Sequence, residues 1–293
     1  MARWAVFAGL TALVLFVLLA LARASQSTID DGSSTVDDAS AIDDTTSTVG
    51  NTPSSVEPVP TRRDEDVSPD SPLDYDARDS IEQPSAGPDG TRRSPSFSTG
   101  ALLANVALSQ GLFAVVLIGG AWYAEIPLAA LGLDGAPLST GLPALGVGIV
   151  VGVGLYLVNE LGTLGANAAG IETPDALRES LAPDSRTGWA VLLGVVLPTI
   201  AIFEELLFRA ALIGALAAGF GLSPWLLAVL SSIAFALGHG AQGTIGMVAT
   251  GGLGFVLASV FVLTGSFLAV VIAHYLVNAL EFVVHESLAV EWS

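Results

Sequence analysis

Residues 188–219 read GWAVLLGVVLPTIAIFEELLFRAALIGALAAG. As a straight helix this run would be roughly 48 Å long, too long for a perpendicular span of a hydrocarbon core roughly 30 Å thick. Pro198 lies within it and removes one backbone donor, which predicts a kink or a broken helix. In the middle stand Glu204, Glu205 and Arg209 among Ile, Leu, Phe and Ala. A single charge at the centre of a bilayer costs about 3 kcal/mol on insertion scales, so three ionisable groups together mark a functional site.

The surrounding chain supports a membrane reading. Its 293 residues are 52% hydrophobic and only 13% charged, far from the balance of a soluble globular domain. Further apolar runs cover 4–22, 101–123, 142–165, 224–238, 244–263 and 267–285. The expected fold is all-α, a polytopic bundle of about seven transmembrane helices in the cell membrane. Residues 1–24 read as a transmembrane helix, with a signal peptide as the alternative because "ARAS" at 22–25 resembles a small-residue cleavage site. Glycines 243, 246, 251, 252 and 254 predict a small-residue face for close packing of the sixth run.

From 25 to 98 the composition inverts to Ser, Thr, Asp and Pro, with 16 acidic residues against five arginines. This segment reads as a disordered acidic linker, leaving 99–293 as the membrane domain. The net charge is −18 and there is no lysine, a balance that self-repulsion tolerates when molar salt screens it and so points to a halophile. Such a charge excludes nucleic acid as a partner. The absence of cysteine excludes disulfides, thiolate metal sites and cysteine nucleophiles.

Glu205 and Arg209 are i and i+4, neighbours on one helical face, and form a self-neutralising pair. Glu204 points about 100° away and has no partner in its own helix, leaving it available as a general base. The next run carries "FALGH", with Phe235 and His239 at i and i+4; the last carries "HYLVN", with His274 and Asn278 spaced alike. Glu204 and His239 each lie roughly 22 Å along a helix from the "GFGLSP" turn, and His274 and Asn278 lie roughly 13 and 19 Å past the "TGS" turn. The groups therefore converge at one level of the bilayer.

With "EELLFR" at 204–209, "FALGH" at 235–239 and "HYLVN" at 274–278, the chain resembles the CAAX protease and bacteriocin-processing (Abi) family of intramembrane endopeptidases. The resemblance covers roughly 187–285 and extends to "SSIAFALGH" and "LTGSFLAVVIAHYLVN"; the long acidic linker departs from the family's compact pattern. It implies peptide hydrolysis by an activated water, with Glu204 as base, His239 as its helper, and His274 with Asn278 as the oxyanion hole. The implied partners are a membrane-associated protein or peptide substrate and the lipid bilayer. A metal-free mechanism is expected, with zinc held by Glu204, His239 and His274 as the alternative.

Glu281, seven residues past His274, either enlarges the site or reaches the interface. Glu160, beside Asn159, reads as a packing or lip residue, and His285 and Glu286 read as solvated. Two other functions compete: a non-catalytic scaffold or immunity protein of the same fold, and a proton-coupled transporter. The transporter reading predicts inverted repeats, and none is visible in the sequence.

With seven spans, Arg92, Arg93, Arg178 and Arg186 fall on one side, together with Arg23, and Arg3 on the other. The positive-inside tendency places the linker and C-terminus in the cytoplasm and the site opening towards it. A tag inserted near Ser55 should therefore survive protease added to intact cells; its digestion from outside would reverse the orientation.

Overall fold

The computed structural model describes residues 1–43, 98–170 and 176–287, and every regular element among them is helical. The long helices are α1 (Trp4–Asp43), α2 (Thr99–Tyr123), α3 (Leu142–Ala168), α4 (Arg186–Phe220), α5 (Pro224–Gly238), α6 (Gly243–Thr264) and α7 (Phe267–Phe282). Residues Met1–Ser33 and Phe97–Ser293 form one compact unit; helix α1 runs on to Asp43, past the expected start of the disordered linker at 25, and the rest of that linker lies almost wholly outside the described residues.

Local chemistry sets the helix ends. Ser98, Ser185, Ser223 and Ser266 cap α2, α4, α5 and α7, each hydroxyl accepting from the amide three residues on. Gly221 and Gly265 end α4 and α6 at φ 66° and 63°, a left-handed cap that costs glycine nothing. Each of these turns thus joins a glycine stop to a serine start.

Among the described residues six helices are long and apolar enough to cross a membrane, and the chain is a multi-pass membrane protein. The 15-residue α5 is about 22 Å long, short of the core thickness. It nevertheless counts as a crossing. Glu160, late in α3, lies 2.7 Å from His285, just past α7, so these two ends share one side of the bundle. An even number of crossings must separate them, and α4 to α7 supply four only when α5 is included.

The expected kink at Pro198 takes a different form. Helix α4 runs unbroken for 35 residues, widened into π-helical turns at Leu192–Val196 and Leu206–Ala215 on either side of an α-helical Leu197–Glu205. The Leu197 amide donates to the Leu192 carbonyl, a π-type bond. Pro198 has no amide for the next carbonyl in that register, Leu193, and the Tyr275 hydroxyl of α7 donates to it instead at 3.2 Å. The proline is absorbed by a wide turn and a cross-helix hydrogen bond, which ties α4 to α7.

Close packing uses two of the glycines the sequence predicted, and others besides. In α6, Gly251 and Gly254 face Ala236 and Phe235 of α5, whereas Gly252 has nothing near it and Gly246 meets only Gln242 one turn back. A further close helix contact lies in α3, where Gly148 and Gly152 lie against the Ala269 and Ala273 carbonyls of α7. Small residues four apart let two backbones approach in a medium that offers no hydrophobic drive for association. A Cβ at Gly152 would sit 2.8 Å from the Ala273 carbonyl oxygen, which cannot yield, while one at Gly154 would meet nothing within 4 Å. Gly152→Ala should therefore destabilise the protein by about 1–3 kcal/mol. Gly154→Ala should be neutral or stabilise by up to about 1 kcal/mol. Thermal unfolding in detergent distinguishes them.

Candidate active site

Glu204 and Glu205 occupy the last turn of the α-helical part of α4, and Arg209 the first π-helical turn after it. Phe203, Leu207 and Phe208 pack around them in a core shared with Phe7, Leu117 and Phe235. Glu205 and Arg209 are 0% and 1% exposed, Glu204 9%. The expected ion pair forms: Arg209 Nη1 donates to Glu205 Oε1 at 2.7 Å. Arg209 Nη2 donates to the Gly254 carbonyl of α6 at 2.9 Å, and its guanidinium lies 4.8 Å over the Phe235 ring. A Cβ at Gly254 would press on both Phe235 and Arg209, so only glycine fits there.

Glu205 has a second partner that the sequence did not disclose. Its Oε1 also lies 2.7 Å from Nδ1 of His274, a residue 4% exposed on α7. A carboxylate only accepts, so Nδ1 donates, and the other ring nitrogen faces Glu204: Nε2 to Oε2 is 3.6 Å. Glu204, without a partner in its own helix as expected, finds one across the bundle. The two glutamates thus face opposite ends of one imidazole.

His239 caps the C-terminal end of α5, half-buried. Its Nδ1 lies 2.8 Å from the Phe235 carbonyl, which can only accept, so Nδ1 carries the proton and Nε2 of the neutral ring offers a lone pair. The Phe235 ring stands between the two imidazoles, with centroids 4.5 Å from His239 and 6.1 Å from His274. Asn278 is half-buried one turn beyond His274, and its side chain makes no hydrogen bond among the described residues.

The alternative zinc set does not assemble. Glu204, His239 and His274 do not bring three ligand atoms within 4.8 Å of one another, whereas Glu160, Glu281 and His285 do. Zinc bonds of about 2.0–2.2 Å require that convergence. The second cluster also corrects the reading of its members. Glu281 accepts from Asn159 and Arg178 and joins a network away from His274, and His285 and Glu286 are mostly buried in ion pairs with Glu160 and Arg178.

Residues 186–280 match the family model described as type II CAAX prenyl endopeptidase Rce1-like. The match spans Glu204 to Asn278. It agrees with the CAAX protease and bacteriocin-processing resemblance. At the level of the family it supports an intramembrane CAAX-type protease, acting among lipids on membrane-associated substrates. No curated protein and no solved structure matches the chain.

Removing one member of a buried ion pair costs about 3–5 kcal/mol, whereas replacing both can be neutral. Glu205→Gln alone should therefore lower the folded yield sharply, and adding Arg209→Met should restore much of it. Size-exclusion profiles of the detergent-extracted variants provide the check.

Proposed function

We propose that this chain is an intramembrane endopeptidase of the cell membrane that hydrolyses peptide bonds of membrane-associated proteins. In this reading residues 99–293 form the protease domain, with 1–24 as a membrane helix and 25–98 as an acidic tether. One observation carries it: the Glu204 carboxylate and His274 Nε2 face each other at 3.6 Å inside a buried cluster with Glu205 and Arg209. With a proton on each nitrogen of His274, two carboxylates, one guanidinium and one imidazolium sum to zero charge, the condition for burying four ionisable groups together.

The chemistry follows from those positions. Glu204 takes a proton from water as the water oxygen bonds to the substrate carbonyl carbon. The lone pair on His239 Nε2 accepts the second hydrogen of that water as a hydrogen bond and orients it. Negative charge gathers on the carbonyl oxygen, where His274 Nε2–H and the amide of Asn278 donate to it. Glu205 acts through His274, fixing the ring from Nδ1, and Arg209 fixes Glu205. When the C–N bond breaks, Glu204 returns its proton to the departing amine, leaving a carboxylic acid and an amine.

Glu204→Gln removes the base without changing size and should slow proteolysis by at least about 10²-fold while the protein accumulates normally. Asn278→Ala should cost about 10² to 10³-fold. Comparing membrane proteomes of cells carrying wild type and Glu204→Gln should reveal a juxtamembrane or C-terminal cleavage product that disappears. Equal processing would remove Glu204 from the mechanism, and the lack of any differing product would favour the scaffold.

A further inference from the structure

We infer that Glu160, Glu281 and His285 form a divalent metal site at the end of the bundle, separate from the cluster around Glu204. Their ligand atoms lie within 4.8 Å of one another. His285 Nε2 is 2.7 Å from Glu160 Oε1 and 3.9 Å from Glu281 Oε1. A tetrahedral ion with bonds of about 2.1 Å holds its donors about 3.4 Å apart, so on uptake the 2.7 Å contact opens by about 0.7 Å and the 3.9 Å one closes by about 0.5 Å. Two carboxylates and one imidazole suit zinc or manganese rather than magnesium, which prefers oxygen ligands and water. The donors come from α3, from α7 and from the π-helical turn Val283–Ser287 that follows it. All three lie outside the residues matched by the family model.

Charge supplies a separate argument. Glu281 and Glu286 each accept from one guanidinium, Arg178, at 2.8 Å, and Glu160 lies against His285. Glu160 is only 8% exposed. Among the described residues these carboxylates outnumber the guanidinium, so a divalent cation brings charge of the sign the cluster lacks. Ionised carboxylates have no proton to give, so without an ion His285 Nε2 carries the hydrogen and donates it to Glu160. Metal uptake there displaces the proton to solvent and leaves the nitrogen lone pair as the ligand. Arg178 shares Glu281 Oε1 with the site and so competes with the ion.

The test is zinc titration by calorimetry of the metal-stripped full chain in detergent, with magnesium as the control ion. Wild type and Glu204→Gln should each take up one zinc ion, releasing protons; magnesium should not bind. His285→Ala and Glu281→Gln should weaken uptake at least tenfold. Arg178→Gln, which keeps every donor, should tighten it, and keeps the test decisive if the other variants fail to fold. No zinc uptake by wild type, weaker uptake by Arg178→Gln, or loss in Glu204→Gln with retention in His285→Ala would each overturn the proposal. The readout needs no substrate, so its failure is distinct from failure of the protease reading.

Discussion

Glu205 Oε1 accepts from Arg209 Nη1 and from His274 Nδ1, each at 2.7 Å, and the arrangement of the polar centre depends on that shared atom. Through it α4 holds α7, and through Arg209 and the Gly254 carbonyl it also holds α6. Buried groups of this kind exchange weakly with water, so each is held by a partner at a fixed place, although Glu205 Oε2 and Arg209 Nε have none among the described residues. Losing one partner strands the others. The result is a rigid core in which His274 has one orientation, with Nε2 turned towards Glu204.

The backbone of α4 departs from regular helix on both sides of that core. The first π-helical turn takes up Pro198 and turns a carbonyl towards Tyr275, next in sequence to His274. The second carries Arg209. Wide turns of this kind cost regular hydrogen-bond geometry and are common at functional sites. Here they place a cross-helix tie and a guanidinium on either side of the two glutamates, and the close Gly148 and Gly152 contact holds α3 against the same α7.

Helix α7 and the turn beyond it carry a polar series, His274, Asn278, Glu281 and His285, at spacings of four, three and four residues. Those spacings keep them near one face. The structure divides the series into two clusters. His274 belongs with Glu204, Glu205 and Arg209, whereas Glu281 and His285 belong with Glu160 and Arg178. Asn278 lies between them, with its amide uncommitted among the described residues, as a donor to a peptide carbonyl requires.

The sequence alone determined the helical class, the long apolar spans and the presence of polar groups within them, because all three follow from local features. Long apolar runs must hydrogen-bond internally in lipid, serines and glycines mark helix ends, and an i, i+4 spacing brings Glu205 beside Arg209 in any helix. The short apolar run at 224–238 is a helix for the same reason, although its length leaves its crossing to be settled by the His285–Glu160 contact. The "GVGIVVG" stretch at 146–152 displayed the Gly148 and Gly152 pair openly, but the sequence could not say which helix would lie on it. Only the tertiary structure decided that Glu205 holds His274, that Tyr275 satisfies the carbonyl beside Pro198, and that Glu281 and His285 turn to Glu160 and Arg178. Each of these contacts joins residues at least 69 positions apart. Spacing within one helix fixes which side chains share a face; the rotation and depth of the neighbouring helix, set by packing, fix what they meet.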